Sequence, residues 1–133
     1  RLPETRIMTT LTALSIVTPH GGNIASGRKT LEVRSWQPDK LPLLDLAIVE
    51  NGRFLREDGD SDPDGRLVAL VDVHMVEPWR PDQVDAACAS GWVPGYHAWH
   101  LENVRPVAEP PVVPAQRRLY RIGLSSSPMT GES

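Results

Sequence analysis

Gly27-Arg28-Lys29-Thr30-Leu31-Glu32-Val33-Arg34-Ser35-Trp36 is the stretch that decides how this chain reads. Side chains alternate faces along a strand. From Thr30 to Trp36 that alternation sends Leu31 and Val33 toward a core. Thr30, Glu32, Arg34 and Trp36 go the other way. Glu32 and Arg34, two residues apart on one face, can pair. Gly27 lets the backbone turn tightly and leaves space beside Lys29, whose side chain can then swing to the Glu32 side. On pattern alone this is a strand carrying an outward ion pair worth at most about 1 kcal/mol. A functional role requires a cleft beside it.

The flanking sequence supplies more short strands. Ala13-Leu14-Ser15-Ile16-Val17 is an apolar run stopped by Thr18-Pro19. Pro19 to Ser26 suits a short helix, with Thr18 as its cap and Gly27 as its stop, although Gly21-Gly22 weakens it. Leu43 to Glu50, Arg66 to Val76, His97 to Glu102 and Leu119 to Leu124 are further strand candidates. Pro81 to Ala89 is expected to form a second short helix, with Pro81 at its start and acids in its first turn. Residues 57–65 hold no apolar side chain and read as an exposed acidic loop. Pro106, Pro110, Pro111 and Pro114 suggest an extended connection at a sheet rim. Five to six strands with two short helices predict an α+β fold, a small mixed β-barrel whose closure removes open edges. Residues 1–12 are read as an N-terminal extension, 13–124 as the domain, and 125–133 as a fraying tail.

Composition narrows the function. At 133 residues the chain fits one domain and can bury a core without staples. Its net charge of -3 excludes a generally basic protein that coats long nucleic acid. The surplus acid sits in the middle, whereas Arg28, Lys29 and Arg34 keep the signature stretch basic. A single cysteine, Cys88, cannot make an internal disulfide, so a reducing, cytoplasmic setting is expected. Cys88 itself is read as packing on the apolar side of the second helix. No apolar run approaches a membrane span and no charged-then-apolar leader is seen, so no membrane partner is expected. Of the four histidines only His97 and His100 are close. An i, i+3 pair on a strand faces opposite sides, so no metal site and no cofactor are expected. Asp72 and His74 share a strand face and could pair.

Gly-x-Lys-x-x-Glu-x-Arg followed by Ser-Trp resembles the signature of the ASCH domain, a branch of the PUA-like superfamily. Leu14-Ser15-Ile16 resembles that family's opening strand. The stretch from Gly65 to Val73 resembles its central strand, Trp99-His100-Leu101-Glu102-Asn103-Val104-Arg105-Pro106 a later one, and Leu119-Tyr120-Arg121-Ile122 its closing strand. The resemblance implies a β-barrel with a cleft beside the signature strand. It also implies binding of RNA or of modified nucleosides, with amidohydrolase activity on N4-acetylcytidine or ribonuclease activity in some members. Three departures stand out. Where the amidohydrolases carry a threonine three residues after the lysine, this chain has Glu32, and residues 90–97 supply no third acid. His20 falls where a tryptophan is common in the pocket wall.

With the resemblance in hand, Lys29 and Glu32 are the candidate catalytic pair, a cation that polarises a carbonyl and a carboxylate that moves a proton. Arg34 and Arg105 are candidate phosphate contacts. Trp36 is a candidate stacking surface, worth about 1–3 kcal/mol per base, and His20 a candidate wall of the ligand site. All but His20 have a structural alternative: Lys29 as a surface lysine, Glu32 and Arg34 as a mutual clamp, Trp36 as a rim residue of the core, Arg105 as a surface arginine. The expected partner is RNA or a small nucleoside or nucleotide ligand. The competing functions are a hydrolase of the same family and a non-catalytic protein-interaction domain using residues 57–64 and 106–114. Oligomeric state is left open.

Overall fold

The computed structural model describes residues 7–126, so the expectations for residues 1–6 and 127–133 lie outside the described residues. Among these, nine strands form two sheets. In chain order they are β1 (Ile7–Val17), β2 (Leu31–Arg34), β3 (Leu43–Asn51), β4 (Ser61–Val73), β5 (Val76–Pro78), β6 (His97–His100), β7 (Glu102–Pro106), β8 (Val112–Gln116) and β9 (Leu119–Ser126). One helix, α1 (His20–Ala25), follows β1, and one turn of 3-10 helix spans Pro81–Gln83. The large sheet runs β7-β4-β3-β1-β9, with β8 also paired to β4. The small sheet runs β2-β6-β5. Only β1 and β3 pair in parallel, Ala13 opposite Ala47. Parallel neighbours need a crossover, and the crossover here is α1 with β2, which places the signature strand outside the large sheet. No helix of the described residues is long and apolar enough to cross a membrane.

The fold is thus mostly β, and the expected closed barrel of five to six strands is replaced by two sheets. Both faces of the large sheet are covered. Leu14, Ile48, Ala69 and Val71 pack on one face with Trp99 and Leu101. Ala13, Ala47, Val49 and Leu67 pack on the other with Val113, Tyr120 and Ile122. Consecutive buried residues such as Leu46 to Val49 mark a strand buried on both sides. A third cluster of Leu31, Trp79, Ala87 and Ala98 lies under the small sheet.

Several boundaries differ from the sequence reading, each for a physical reason. The first strand begins at Ile7 rather than near Ala13, because residues 7–14 pair with β9. β4 begins at Ser61, so the second half of the expected acidic loop is strand. It pairs with β8, Asp62 opposite Ala115 and Gly65 opposite Val113, with a bulge between them. The prolines hid this pairing. Pro63 and Pro114, which have no N–H to donate, both fall in the irregular stretch. A Cβ on Gly65 would lie 2.6 Å from the Val113 carbonyl oxygen and 2.7 Å from Val49 Cγ1, so the close approach of β8 requires glycine there.

The helix expected over 81–89 is only the single turn at its start. Beyond it the chain turns with i, i+3 to i, i+5 hydrogen bonds, and Cys88 adopts a left-handed φ of 53°. That turn frees the Ala86 carbonyl to accept from Thr30 and Leu31 N–H at 2.9 and 3.2 Å. A continued helix would have directed the same carbonyl along its own axis.

Candidate functional site

The site is assembled around the end of α1. Thr18 does not cap the helix; Pro19 occupies the N-cap position and no side chain caps it. Instead Glu50 Oε2 on β3 accepts the Gly22 N–H at 2.9 Å. A Cβ on Gly21 would stand 2.7 Å from Glu50 Cβ, so this glycine, which lowers helix propensity, is what admits Glu50. The helix stops as expected at Gly27, whose N–H reaches the Ile24 carbonyl at 3.0 Å and whose φ is 84°. The chain then returns, Lys29 N–H bonds to the Asn23 carbonyl at 2.9 Å, and the Lys29 side chain drops inward.

Lys29 and Glu32 are buried, at 4% and 6% exposure. The expectation of a solvated outward ion pair is therefore wrong: the alternation is as read, but the outer face is roofed. Lys29 Nζ lies 3.3 Å from Glu32 Oε1 and also donates to the Ala87 carbonyl. Arg34 Nε donates to Glu32 Oε2 at 2.6 Å, and Arg34 Nη2 donates to the Ser15 carbonyl at 2.9 Å. Glu32 is thus gripped by two cations, one per oxygen. An ammonium has three donors. Lys29 donates one to the Ala87 carbonyl and pairs ionically with Glu32, which leaves donor capacity for a ligand.

Lys29, Glu32, Arg34, Trp36 and His20 line one cavity of about 690 Å³. Five of the six sequence candidates are therefore brought together. The sixth, Arg105, is not. It lies on β7, where Nη2 donates to Asp45 at 2.7 Å and to Asp72 at 3.2 Å. The Arg105 guanidinium, the Asp45 N–H and the Asn103 amide hold the Asp72 carboxyl well below the usual carboxylate range. That cluster ties β3, β4 and β7 together. His74 bonds to Glu102 at 2.8 Å rather than to Asp72.

His20 is half-buried, and its Nδ1 is buried with no hydrogen-bond partner among the described residues. Burial pushes its pKa down, and the nearby Lys29 ammonium pushes it further, against a smaller upward pull from Glu32 and Glu50. A neutral imidazole therefore faces the cavity at neutral pH. Trp36 packs edge-on against the fully buried Trp99, centroids 5.1 Å apart. The Arg118 guanidinium lies over the Trp36 ring, 5.0 Å from its centroid. Cys88, read from sequence as helix packing, is half-buried in the cavity wall.

Sequence reasoning missed the far wall: Arg53, Phe54, Tyr96, Arg117 and Arg118. Phe54 is 67% exposed and Tyr96 38%, so aromatic surface rims the mouth. The available signal was the Arg117-Arg118 pair between two apolar strands, a polar turn with no obvious structural need. Among the described residues, no group of three or more His, Cys, Asp or Glu side chains is arranged to hold a metal ion.

A model of the ASCH domain matches residues 14–111. The chain is similar in structure to a crystal structure of ASCH from Zymomonas mobilis, with a TM-score of 0.51 at 16% identity, over 80% of this chain and 87% of that one. A mutant form of the Zymomonas mobilis protein gives a TM-score of 0.46 at 15% identity, with the same coverage. At 16% identity the likeness to the first of these concerns the fold. No curated protein matches the chain.

Proposed function

The chain belongs to the ASCH domain family, and from that premise we propose that its cavity binds a nucleoside, free or as an unpaired residue of RNA. The observation that supports this most is the buried Lys29 ammonium, which has a spare donor facing a cavity of about 690 Å³. That volume suits a small organic ligand. Lys29 and the remaining Arg34 N–H groups offer donors to a base carbonyl. His20 offers its Nε2, which accepts when the buried Nδ1 carries the proton. A base edge carries the same mixture, and flat bases stack on aromatic rings and on guanidinium planes such as the Arg118 and Trp36 pair. The -3 net charge suits a ligand of this size better than a long duplex.

Binding is favoured over hydrolysis because both Glu32 oxygens already face a cation, Oε1 in an ion pair with Lys29 and Oε2 accepting from Arg34, which leaves that carboxylate poorly disposed to take a proton. His20 supports the second reading, hydrolysis of an acylated nucleoside amide, since a neutral imidazole in a cavity wall is a competent base.

Titrating the protein with cytidine and with N4-acetylcytidine, followed by tryptophan fluorescence and calorimetry, tests the proposal. Saturable binding that Lys29→Met weakens at least tenfold is the expected result. Absence of saturable binding to either compound would sink it. Chromatography of the same mixtures separates the two readings, because only the hydrolase releases cytidine and acetate.

A further inference from the structure

The nucleoside reading uses only the flat face of Arg118 and gives Arg117 no role. Arg117 and Arg118 form the turn between β8 and β9, and both line the main cavity. Both also line a second concavity of about 460 Å³, together with Asp58, Asp60, Ser61 and Gln116. Two guanidinium groups therefore stand where two depressions meet.

Their charges are held very differently from those deeper in. Arg118 takes a left-handed φ of 58°, lies over Trp36, and has no carboxylate partner among the described residues. Arg117 Nη1 donates to Asp58 Oδ1 at 2.9 Å, but the Asp58 side chain is 91% exposed. An ion pair that open to water is easily exchanged. Arg53, on the same rim, differs again. It donates to both Asp60 oxygens at 3.2 Å and to the Ser61 carbonyl at 2.7 Å, so its fork is filled. One unpaired and one loosely held guanidinium, adjacent in sequence at a cavity mouth, supply the kind of donors that capture phosphate oxygens.

We propose that Arg117 and Arg118 form a phosphate subsite at the mouth of the nucleoside cavity, and that Asp58 is its built-in competitor. The ligand class is then a nucleoside bearing a phosphate, either a free monoester or a diester within RNA. The phosphate displaces Asp58 from Arg117 and takes both forks, while the base enters toward Lys29. The proposal rests on the nucleoside reading for the base, and on its own observations for the phosphate.

Calorimetric titration of the full chain with cytidine, cytidine 5′-monophosphate, the dinucleotide CpA and inorganic phosphate tests it. The phosphate-bearing compounds are expected to bind about tenfold tighter than cytidine in low salt, the scale of two charge-assisted contacts partly screened by water. Arg117→Gln should erase most of that gain and leave cytidine binding as it was. Asp58→Asn should increase the gain. A larger gain for the monoester identifies a free nucleotide as the ligand, and a larger gain for CpA identifies an RNA chain. Equal affinities for cytidine and both phosphate compounds would overturn the subsite while leaving the nucleoside reading intact. So would a gain that Arg117→Gln and Asp58→Asn both fail to move. If cytidine fails to bind but inorganic phosphate binds in an Arg117-dependent way, the subsite stands and the nucleoside reading falls.

Discussion

Removing either end of the Lys29 and Glu32 pair should cost very different amounts of stability, because only one end has a second ionic partner. In Lys29→Met the carboxylate keeps Arg34 Nε at 2.6 Å. What is lost is the donor to the Ala87 carbonyl, and an unsatisfied buried acceptor costs about 1–2 kcal/mol. In Glu32→Gln the Lys29 ammonium, 4% exposed, keeps only neutral oxygens. Stranding a buried charge costs about 3–5 kcal/mol, and the amide oxygen, which still accepts one hydrogen bond, puts this case near about 3 kcal/mol. The double variant removes the stranded charge along with its counter-ion, so it should resemble Lys29→Met alone and recover about 1–2 kcal/mol relative to Glu32→Gln. For a domain of this size one kcal/mol moves the melting temperature by roughly 3–5 °C. Thermal and urea unfolding followed by circular dichroism would resolve the order of the three variants. If Lys29→Met were as damaging as Glu32→Gln, or if the two losses simply added, the claim that Arg34 is the carboxylate's reserve partner would fall.

Three other outcomes follow from the packing and the charges. His20 has a folded-state pKa below its ordinary 6.5, so the unfolded chain binds more protons just below that pH. Its contribution to stability is complete above about pH 6.5 and is lost as pH falls toward the folded value; His20→Gln should flatten that decline in urea midpoints measured from pH 7.5 to 5. Asp72 is likewise depressed, chiefly by Arg105, so its contribution is present above the ordinary 3.8 and is lost only in stronger acid. Asp72→Asn should lower the melting temperature at pH 7 and remove that acid-side loss, with no effect on cytidine affinity in calorimetry. Gly65→Ala should cost about 1–3 kcal/mol in urea unfolding, since its Cβ would meet a backbone oxygen and a core methyl that have nowhere to move.

Much of the β architecture is readable in the chain because its strands are written in β-branched and leucine alternation. Leu43 to Glu50 and Leu119 to Leu124 appear almost as read, extended by one and two residues. β8 could not be read, since its sequence, VVPAQ, and the Pro63 opposite look like connection until the bulge shows where the prolines sit. The second helix failed for a tertiary reason: Pro81, Asp82 and Asp85 start a helix and a single turn equally well, and the need of Thr30 and Leu31 for the Ala86 carbonyl decided between them. Within the site, Lys29, Glu32 and Arg34 were legible through local spacing and the family signature. Arg118 was not, because its closeness to Trp36 joins residues 82 positions apart. Arg105 was drawn into the site by its place in the motif, although two carboxylates hold it elsewhere.

The pairing of β1 with β9 also dictates an order of events during synthesis. β1 is an interior strand of the large sheet, yet one neighbour, β3, arrives early and the other, β9, is the last strand of the described residues, Ile7 lying opposite Ser126. Until β9 leaves the ribosome, β1 presents an open row of N–H and C=O groups along residues 7–14, and the apolar face beneath Tyr120 and Ile122 is uncovered. An unpaired edge beside exposed apolar surface invites pairing with another chain. Nascent chains stopped short of Leu119 should therefore aggregate or engage chaperones, and completion of the large sheet must wait for β9.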